Sequence, residues 1–213
     1  MPNWCLTNIM ICHDDNEKLK ALYENIKKWS EKTYHDNGFD YPNCGSYWLG
    51  NIVGNAGLSE WSLEKNDFAT NIRCRGSIDE LVYEDGCIHI RTETAWGPML
   101  LMWDKIREKY LPDAEIWFNA EEPGCGLYAT NDPGIIGTFY VDVWEPPEEF
   151  KDEESMYEVD ADCVVQFLQK VLKTDESDIK KLLEMSDKMF DNEDVEQWYS
   201  IHLWESAEIT DFE

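Results

Sequence analysis

Apolar residues recur along this chain with two different spacings, and the switches between them mark its elements. Residues 6 to 13, Leu-Thr-Asn-Ile-Met-Ile-Cys-His, form a short apolar run with β-branched members that ends at Asp14-Asp15. The pattern predicts a buried strand followed by a helix start. From Asn16 to Tyr34, the residues Leu19, Leu22, Tyr23, Ile26 and Trp29 fall at i, i+3, i+4, i+7 and i+10, which is one face of a helix. Residues 35 to 70 are rich in glycine and asparagine and hold no sustained period, so they read as a long structured loop.

The clearest hairpin signal follows. Between Asn71 and Trp96, β-type runs flank Asp85-Gly86, a pair that tolerates the positive φ angles of a type I′ turn. Ile88, Ile90, Thr92 and Thr94 alternate with His89, Arg91 and Glu93, so one side of the sheet is apolar and the other wet. Gly97-Pro98 then opens a helix. Its face is Met99, Met102, Trp103, Ile106 and Tyr110, and Pro112 closes it. Trp96, Met99 and Trp103 are expected in the core. A strand at 114 to 120 puts Ile116 and Phe118 on one face and Trp117 and Asn119 on the other. Glu121-Glu122-Pro123-Gly124-Cys125-Gly126 interrupts it, and residues 137 to 144 read as a further strand.

The order strand, helix, hairpin, helix, strand is βαββαβ. It implies an α+β, ferredoxin-like arrangement, with both helices on one face of an antiparallel sheet. This domain is assigned to residues 1–144 and includes the 35–70 loop. Residues 145–213 form an acidic C-terminal helical extension, in which Asp160 to Lys173 is a helix with Val164, Phe167, Leu168, Val171 and Leu172 inward. A second helix starts at Thr174-Asp175-Glu176-Ser177 and runs to about Met189. At 198 to 205, Tyr199, Ile201 and Leu203 alternate as in a strand, while Val195, Trp198, Tyr199 and His202 fit a helix; the strand is favoured.

Charge narrows the range of functions. The chain of 213 residues carries 18 − 45 = −27. Residues 144 to 213 alone hold 6 basic and 22 acidic side chains, a net −16, and residues 1 to 143 hold 12 and 23, a net −11. Pro146-Pro147 at the junction has the chemistry of a linker. The densest basic stretches, 18–32 and 105–109, are interleaved with acids at helical spacing. Direct nucleic-acid binding is therefore not expected, and anionic membrane surfaces repel such a chain. Seven scattered cysteines without a Cys-x-x-Cys pair, together with the lack of a secretory leader, imply a soluble cytoplasmic protein with reduced thiols.

Three motifs carry a resemblance. Met1-Pro2-Asn3-Trp4-Cys5, Thr94-Ala95-Trp96-Gly97-Pro98-Met99, and residues 121 to 128, Glu-Glu-Pro-Gly-Cys-Gly-Leu-Tyr, resemble the YubB-type ferredoxin-like domain family of phage and conjugative-element proteins. The likeness covers roughly residues 1 to 143 and departs at residues 48 to 57, where many relatives carry a tryptophan-rich segment. It implies a ferredoxin-like fold and a mobile-element setting. It implies no mechanism.

The candidate chemistry is sparse. Adjacent Glu121 and Glu122 in a strand point to opposite faces, so they cannot divide acid and base work; the stretch reads as a turn or bulge that re-aims the strand. Acidic neighbours raise the pKa of Cys125 and disfavour a nucleophile. His13, His35, His89 and His202 lack paired spacing for zinc, and residues 191 to 196 lack the spacing of a calcium loop. No catalytic residue, metal or cofactor is expected. Trp48, Asn51 and Trp61, with Glu121 and Glu122, remain as a candidate interaction surface.

Two functions follow. The first is a non-enzymatic interaction module whose acidic surface, including the outer faces of the helices within 160–189, binds a basic partner or mimics nucleic acid. For mimicry, scaling gives a surface of roughly 10,000 Å². That is about one net charge per ~380 Å², against about one per ~100 Å² for duplex DNA, so the acids must gather on one face. The alternative is a small-ligand enzyme or binder with a cleft between the 35–70 loop and the 121–126 turn.

Overall fold

The computed structural model describes residues 3–34, 45–59, 61–62, 67–68 and 72–212. The chain divides into two compact units, Met1–Asp132 with Ala207–Glu213, and Pro133–Ser206.

In the first unit β1 (Trp4–Cys12) is central. It pairs antiparallel with β5 (Cys87–Ala95) on one side and β6 (Glu115–Glu122) on the other. β4 (Gly76–Glu84) pairs with β5 across the Asp85-Gly86 turn, and β7 (Leu127–Thr130) pairs with β6. These five strands of the larger sheet run in the order β7–β6–β1–β5–β4. Along β1 burial alternates: Cys5, Thr7, Ile9 and Ile11 are buried while Trp4, Leu6 and Asn8 are exposed. The buried alternates form one core with Leu19, Leu22 and Ile26 of α1 (Asn16–Glu31) and Met102, Trp103 and Ile106 of α3 (Leu100–Tyr110). Both helices thus cover the same face, and on β1 the other face is exposed at Trp4, Leu6 and Asn8, which is why that strand alternates. Asp15 caps α1, its carboxylate accepting from the Glu17 and Lys18 amides at 3.1 Å. That arrangement satisfies two of the amides a helix start leaves open.

Within the expected 35–70 loop lies a helix, α2 (Leu49–Asn55), whose first six residues are all buried. Its glycines hid it from the pattern, since glycine weakens a helix by about 1 kcal/mol relative to alanine. Packing requires them: a Cβ at Gly50 would meet the Trp48 ring at 2.2 Å, and one at Gly54 the Tyr34 ring at 2.3 Å. Two short strands, β2 (Trp61–Ser62) and β3 (Asp67–Phe68), pair with each other. Residues 35–44, 60, 63–66 and 69–70 of that loop lie outside the described residues.

Two further expectations are corrected. Trp96 is 54% exposed with φ at 73°, while Met99 and Trp103 are buried as expected. Cys12 and Cys87, directly opposite in the β1–β5 ladder with Cα atoms 4.3 Å apart, form a disulfide. Reduced thiols therefore do not describe that pair. Among the described residues, no helix is long and apolar enough to cross a membrane.

The unit boundary falls at Pro133 rather than at 144/145, because β8 (Phe139–Val143) is the middle strand of the second unit's sheet, flanked by β9 (Met156–Val159) and β10 (Tyr199–Leu203). What reads as a helical extension is thus a sheet-containing unit of its own. The apolar stripe of α4 (Ala161–Leu172), Val164, Phe167, Leu168 and Val171, packs with Leu182 of α5 (Ile179–Phe190) and with Val141, Trp198 and Tyr199. α5 begins later than predicted. Asp178 is its cap, accepting from the Lys180 and Lys181 amides, while Glu176 ties the preceding turn through the Ser177 and Asp178 amides.

The one-sided burial of the first sheet gives a test. Ile90→Ala should lose about 2–5 kcal/mol of unfolding free energy, and Leu6→Ala, on the open face at 43% exposure, less than about 0.5 kcal/mol. Urea denaturation followed by far-UV circular dichroism measures both, and equal losses would contradict a sheet covered on one side.

Candidate functional site

The 121–126 stretch is the connection of a hairpin. Glu121 faces Tyr128 and Glu122 faces Leu127 across the β6–β7 ladder, and Pro123–Cys125 forms a 3-10 turn closed by Gly126 at φ 67°. That left-handed conformation suits glycine. Glu121 is half-buried, whereas Glu122 is 1% exposed and accepts from the Gly124 amide at 3.1 Å. Glu122 thus works as the turn's internal cap. Cys125 is exposed, with its sulfur 3.8 Å from the Asn3 amide nitrogen. Its hydrogen bond with the Glu122 carboxylate, then desolvation, hold the thiol above its ordinary range. A thiol so placed is protonated at neutral pH and is no activated nucleophile.

The three sequence motifs meet here. The Trp96 amide donates to the Asn3 carbonyl at 2.9 Å, and the Thr94 hydroxyl lies 2.9 Å from the Gly97 carbonyl and 3.3 Å from that of Cys5. A Cβ on Gly124 would meet Asn3 Nδ2 at 2.4 Å. Their shared role is to tie the start of β1 to two turns.

The remaining predicted residues are elsewhere. Asn51 is 1% exposed; its amide donates to the Gly45 carbonyl at 2.9 Å and its oxygen accepts from the Tyr34 amide at 3.1 Å. It clamps α2 to two chain segments and offers nothing to a ligand. Trp48 precedes α2 and bridges to Ser77 on β4. β4 and β6 are separated by β5 and β1, a distance on the order of 14 Å at ordinary strand spacing. The structure does not bring Trp48 and Asn51 to Glu121 and Glu122. Trp61 lies in β2, and its side chain is outside the described residues.

A different site emerges in the second unit. β8 and β10 pair so that Val143 faces Tyr199, and the Trp144 amide donates to the Trp198 carbonyl at 3.0 Å. This pairing brings together two acidic connectors, 144–150 after β8 and 194–198 before β10. They wall a groove of about 510 Å³ against the C-terminal ends of α4 and α5. Phe150 and Trp198, stacked with ring centroids 5.0 Å apart, make its apolar base, and Trp144, 40% exposed, stands at its side. Glu145, Glu149, Asp194 and Glu196 line it with one cation, Lys173, so the lining carries 4 − 1 = 3 excess negative charges. Lys173 Nζ lies 3.3 Å from Glu149 with both side chains well exposed. Among the described residues, no ion pair engages Glu145, Asp194 or Glu196. Glu145 sits at φ 43°, in a region uncommon for residues other than glycine. It is held between the Trp144 bond and Pro146-Pro147.

Neither half of the groove is conspicuous alone, because Pro146-Pro147 reads as a linker and residues 191 to 196 as an indifferent acidic stretch. The available signal was the repetition of a tryptophan within two residues of an acid, Trp144 with Glu145 and Trp198 with Glu196, at the ends of two strands that pair. Among the described residues, no group of three or more His, Cys, Asp or Glu side chains is placed to hold a metal.

No protein-family model matches the chain, and no curated protein or solved structure matches it.

The raised thiol at the hairpin is testable. Cys125 in the Glu122→Gln variant should react with iodoacetamide at pH 7.5 faster than in the parent chain, as peptide mass spectrometry reads directly. An unchanged rate would remove Glu122 as the cause of the raised pKa.

Proposed function

We propose that this chain is a non-enzymatic interaction module that binds a basic protein partner through an acidic surface, with the second unit's groove as its point of contact. The observation that carries this reading is the groove itself: a concave aromatic base lined by four carboxylates, only one of them ion-paired. Such a surface attracts cations at long range and buries apolar stems at short range.

The acidic surface differs from the expected one. α4 and α5 hold Asp162, Glu184 and Asp187 against Lys170, Lys180, Lys181 and Lys188, so the helices do not supply acidic faces. The excess acid sits in the connectors, where it frames the groove. Wholesale mimicry of nucleic acid is the weaker version of the proposal. The accessible surface of 12349 Å² shared by 27 net charges gives about one per 460 Å², more dilute than duplex DNA by about fourfold to fivefold.

The order β6–β1–β5–β4, with α1 and α3 on one face, supports a ferredoxin-like reading of the first unit. We take the setting to be a cytoplasmic product of a phage or other mobile element, which rests on the resemblance of residues 1 to 143 to YubB-type domains. The small-ligand alternative has no comparable support, since the groups it needs are three strands apart.

Titration calorimetry with the arginine-rich protein protamine tests the reading. Binding should weaken steeply between 25 and 300 mM NaCl. It should also fall on neutralising Glu145, Glu149, Asp194 and Glu196 to Gln, more than on neutralising Glu24, Glu31, Glu84 and Glu115 of the first unit. Equal losses from the two quadruple variants would mean that bulk charge, and not the groove, does the binding.

A further inference from the structure

We infer that the groove is a pocket for an arginine side chain, so that the partner presents a guanidinium rather than an ammonium group at this point. The inference rests on the basic-partner reading and narrows it to one ligand chemistry.

Three cations could occupy an acidic aromatic groove: a lysine ammonium, a quaternary or methylated ammonium, and a guanidinium. The lining discriminates among them. Glu145, Asp194 and Glu196 lack ion-pair partners among the described residues, and Glu149 has only the exposed Lys173. A ligand entering here strips water from carboxylates that then need donors. A quaternary ammonium carries no N–H and leaves them unpaired. A lysine ammonium has three donors on one compact, strongly hydrated centre, while a guanidinium spreads five over a plane and can reach two carboxylates at once.

The aromatic groups point the same way. Phe150 and Trp198 lie nearly parallel, 20° between planes, and Trp144 is the exposed indole beside them. Phe150 and Trp198 are buried against each other, so the ring on which a flat, weakly hydrated cation gains by stacking is that of Trp144, with its carboxylate contacts kept in plane. Both connectors contribute to both kinds of contact: Trp144, Glu145, Glu149 and Phe150 come from one, Asp194, Glu196 and Trp198 from the other. The arginine therefore contacts both connectors at once, and its methylene stem has the Val171 and Met189 side chains at the helix ends to cover it.

The test uses the full chain and two nine-residue peptides of identical length and charge, one carrying three arginines and the other three lysines, titrated at 50 mM NaCl. The indole N–H resonance of Trp144, assigned by its loss in Trp144→Phe, reports occupancy. The arginine peptide should bind about fivefold tighter than the lysine peptide, the size of a cation–π contact at an accessible site, and should shift that resonance. Trp144→Ala should abolish the preference while leaving the salt-dependent binding common to both peptides. Glu196→Gln, a second variant with no packing role at the base, should weaken the arginine peptide more than the lysine peptide. Equal affinities in the parent chain would overturn the arginine assignment and leave the basic-partner reading standing. Failure of both peptides and of protamine to bind would remove both.

Discussion

Antiparallel pairing of β1 on both edges is the constraint on which the first unit depends. A strand bonded to β5 on one side and β6 on the other has its register set twice, and a slip of one residue would turn Ile9 and Ile11 to water and bring Asn8 into the core. Both helices lean on the same alternates, so α1 and α3 find their places only when β1 is in register. The tie between Asn3 and the turns at 94–97 and 123–126 acts on the same strand, holding its N-terminal end where pairing alone is weakest. A disulfide from Cys12 to Cys87 fastens the opposite end. The strand that organises the sheet is thus secured at both termini.

Legibility in the sequence followed from how many levels of structure agreed. The β4–β5 hairpin was readable because turn chemistry and alternation point to the same register. α1 and α3 were readable because their apolar stripes have nothing to compete with. α2 was not, because its glycines answer to the rings of Trp48 and Tyr34, and contacts of that kind leave no periodicity behind. Trp96 misled for the converse reason: its spacing from Met99 is helical, but it sits before the helix in a left-handed conformation. Boundaries failed at 133 because a strand carries no mark of which sheet it will join. Residues 137 to 144 hold the expected strand, but it lies in the second unit's sheet and not in the first.

The candidate site was illegible for a related cause. Asn51 and Glu122 are polar residues with distinctive neighbours, and each is spent on an internal hydrogen bond or a turn cap rather than on a ligand. Buried polar groups must be satisfied by the chain that buries them, so a polar residue in a glycine-rich or turn-forming segment is often a structural clamp. The residues left for recognition are those whose local role is least determined: Trp144, Glu145, Glu149, Asp194 and Glu196 cap no helix and fill no core. Only the β8–β10 ladder gives them a common location.

Placement of acid in connectors rather than on helices has a physical consequence for how such a surface works. A carboxylate on a helix face has i+3 and i+4 neighbours that can neutralise it, as Lys105 does for Glu108 and Arg107 for Asp104 in α3. In the connectors Glu148 pairs with Lys151 and Glu149 with Lys173, while among the described residues no ion pair engages Glu145, Asp194 or Glu196. The positive φ of Glu145 reflects the same trade: the chain accepts a less favourable backbone there, fixed by Trp144 and the prolines. On the function proposed here, net charge steers a basic partner toward the molecule at long range, and the groove is where unpaired carboxylates and an exposed indole lie together to hold it.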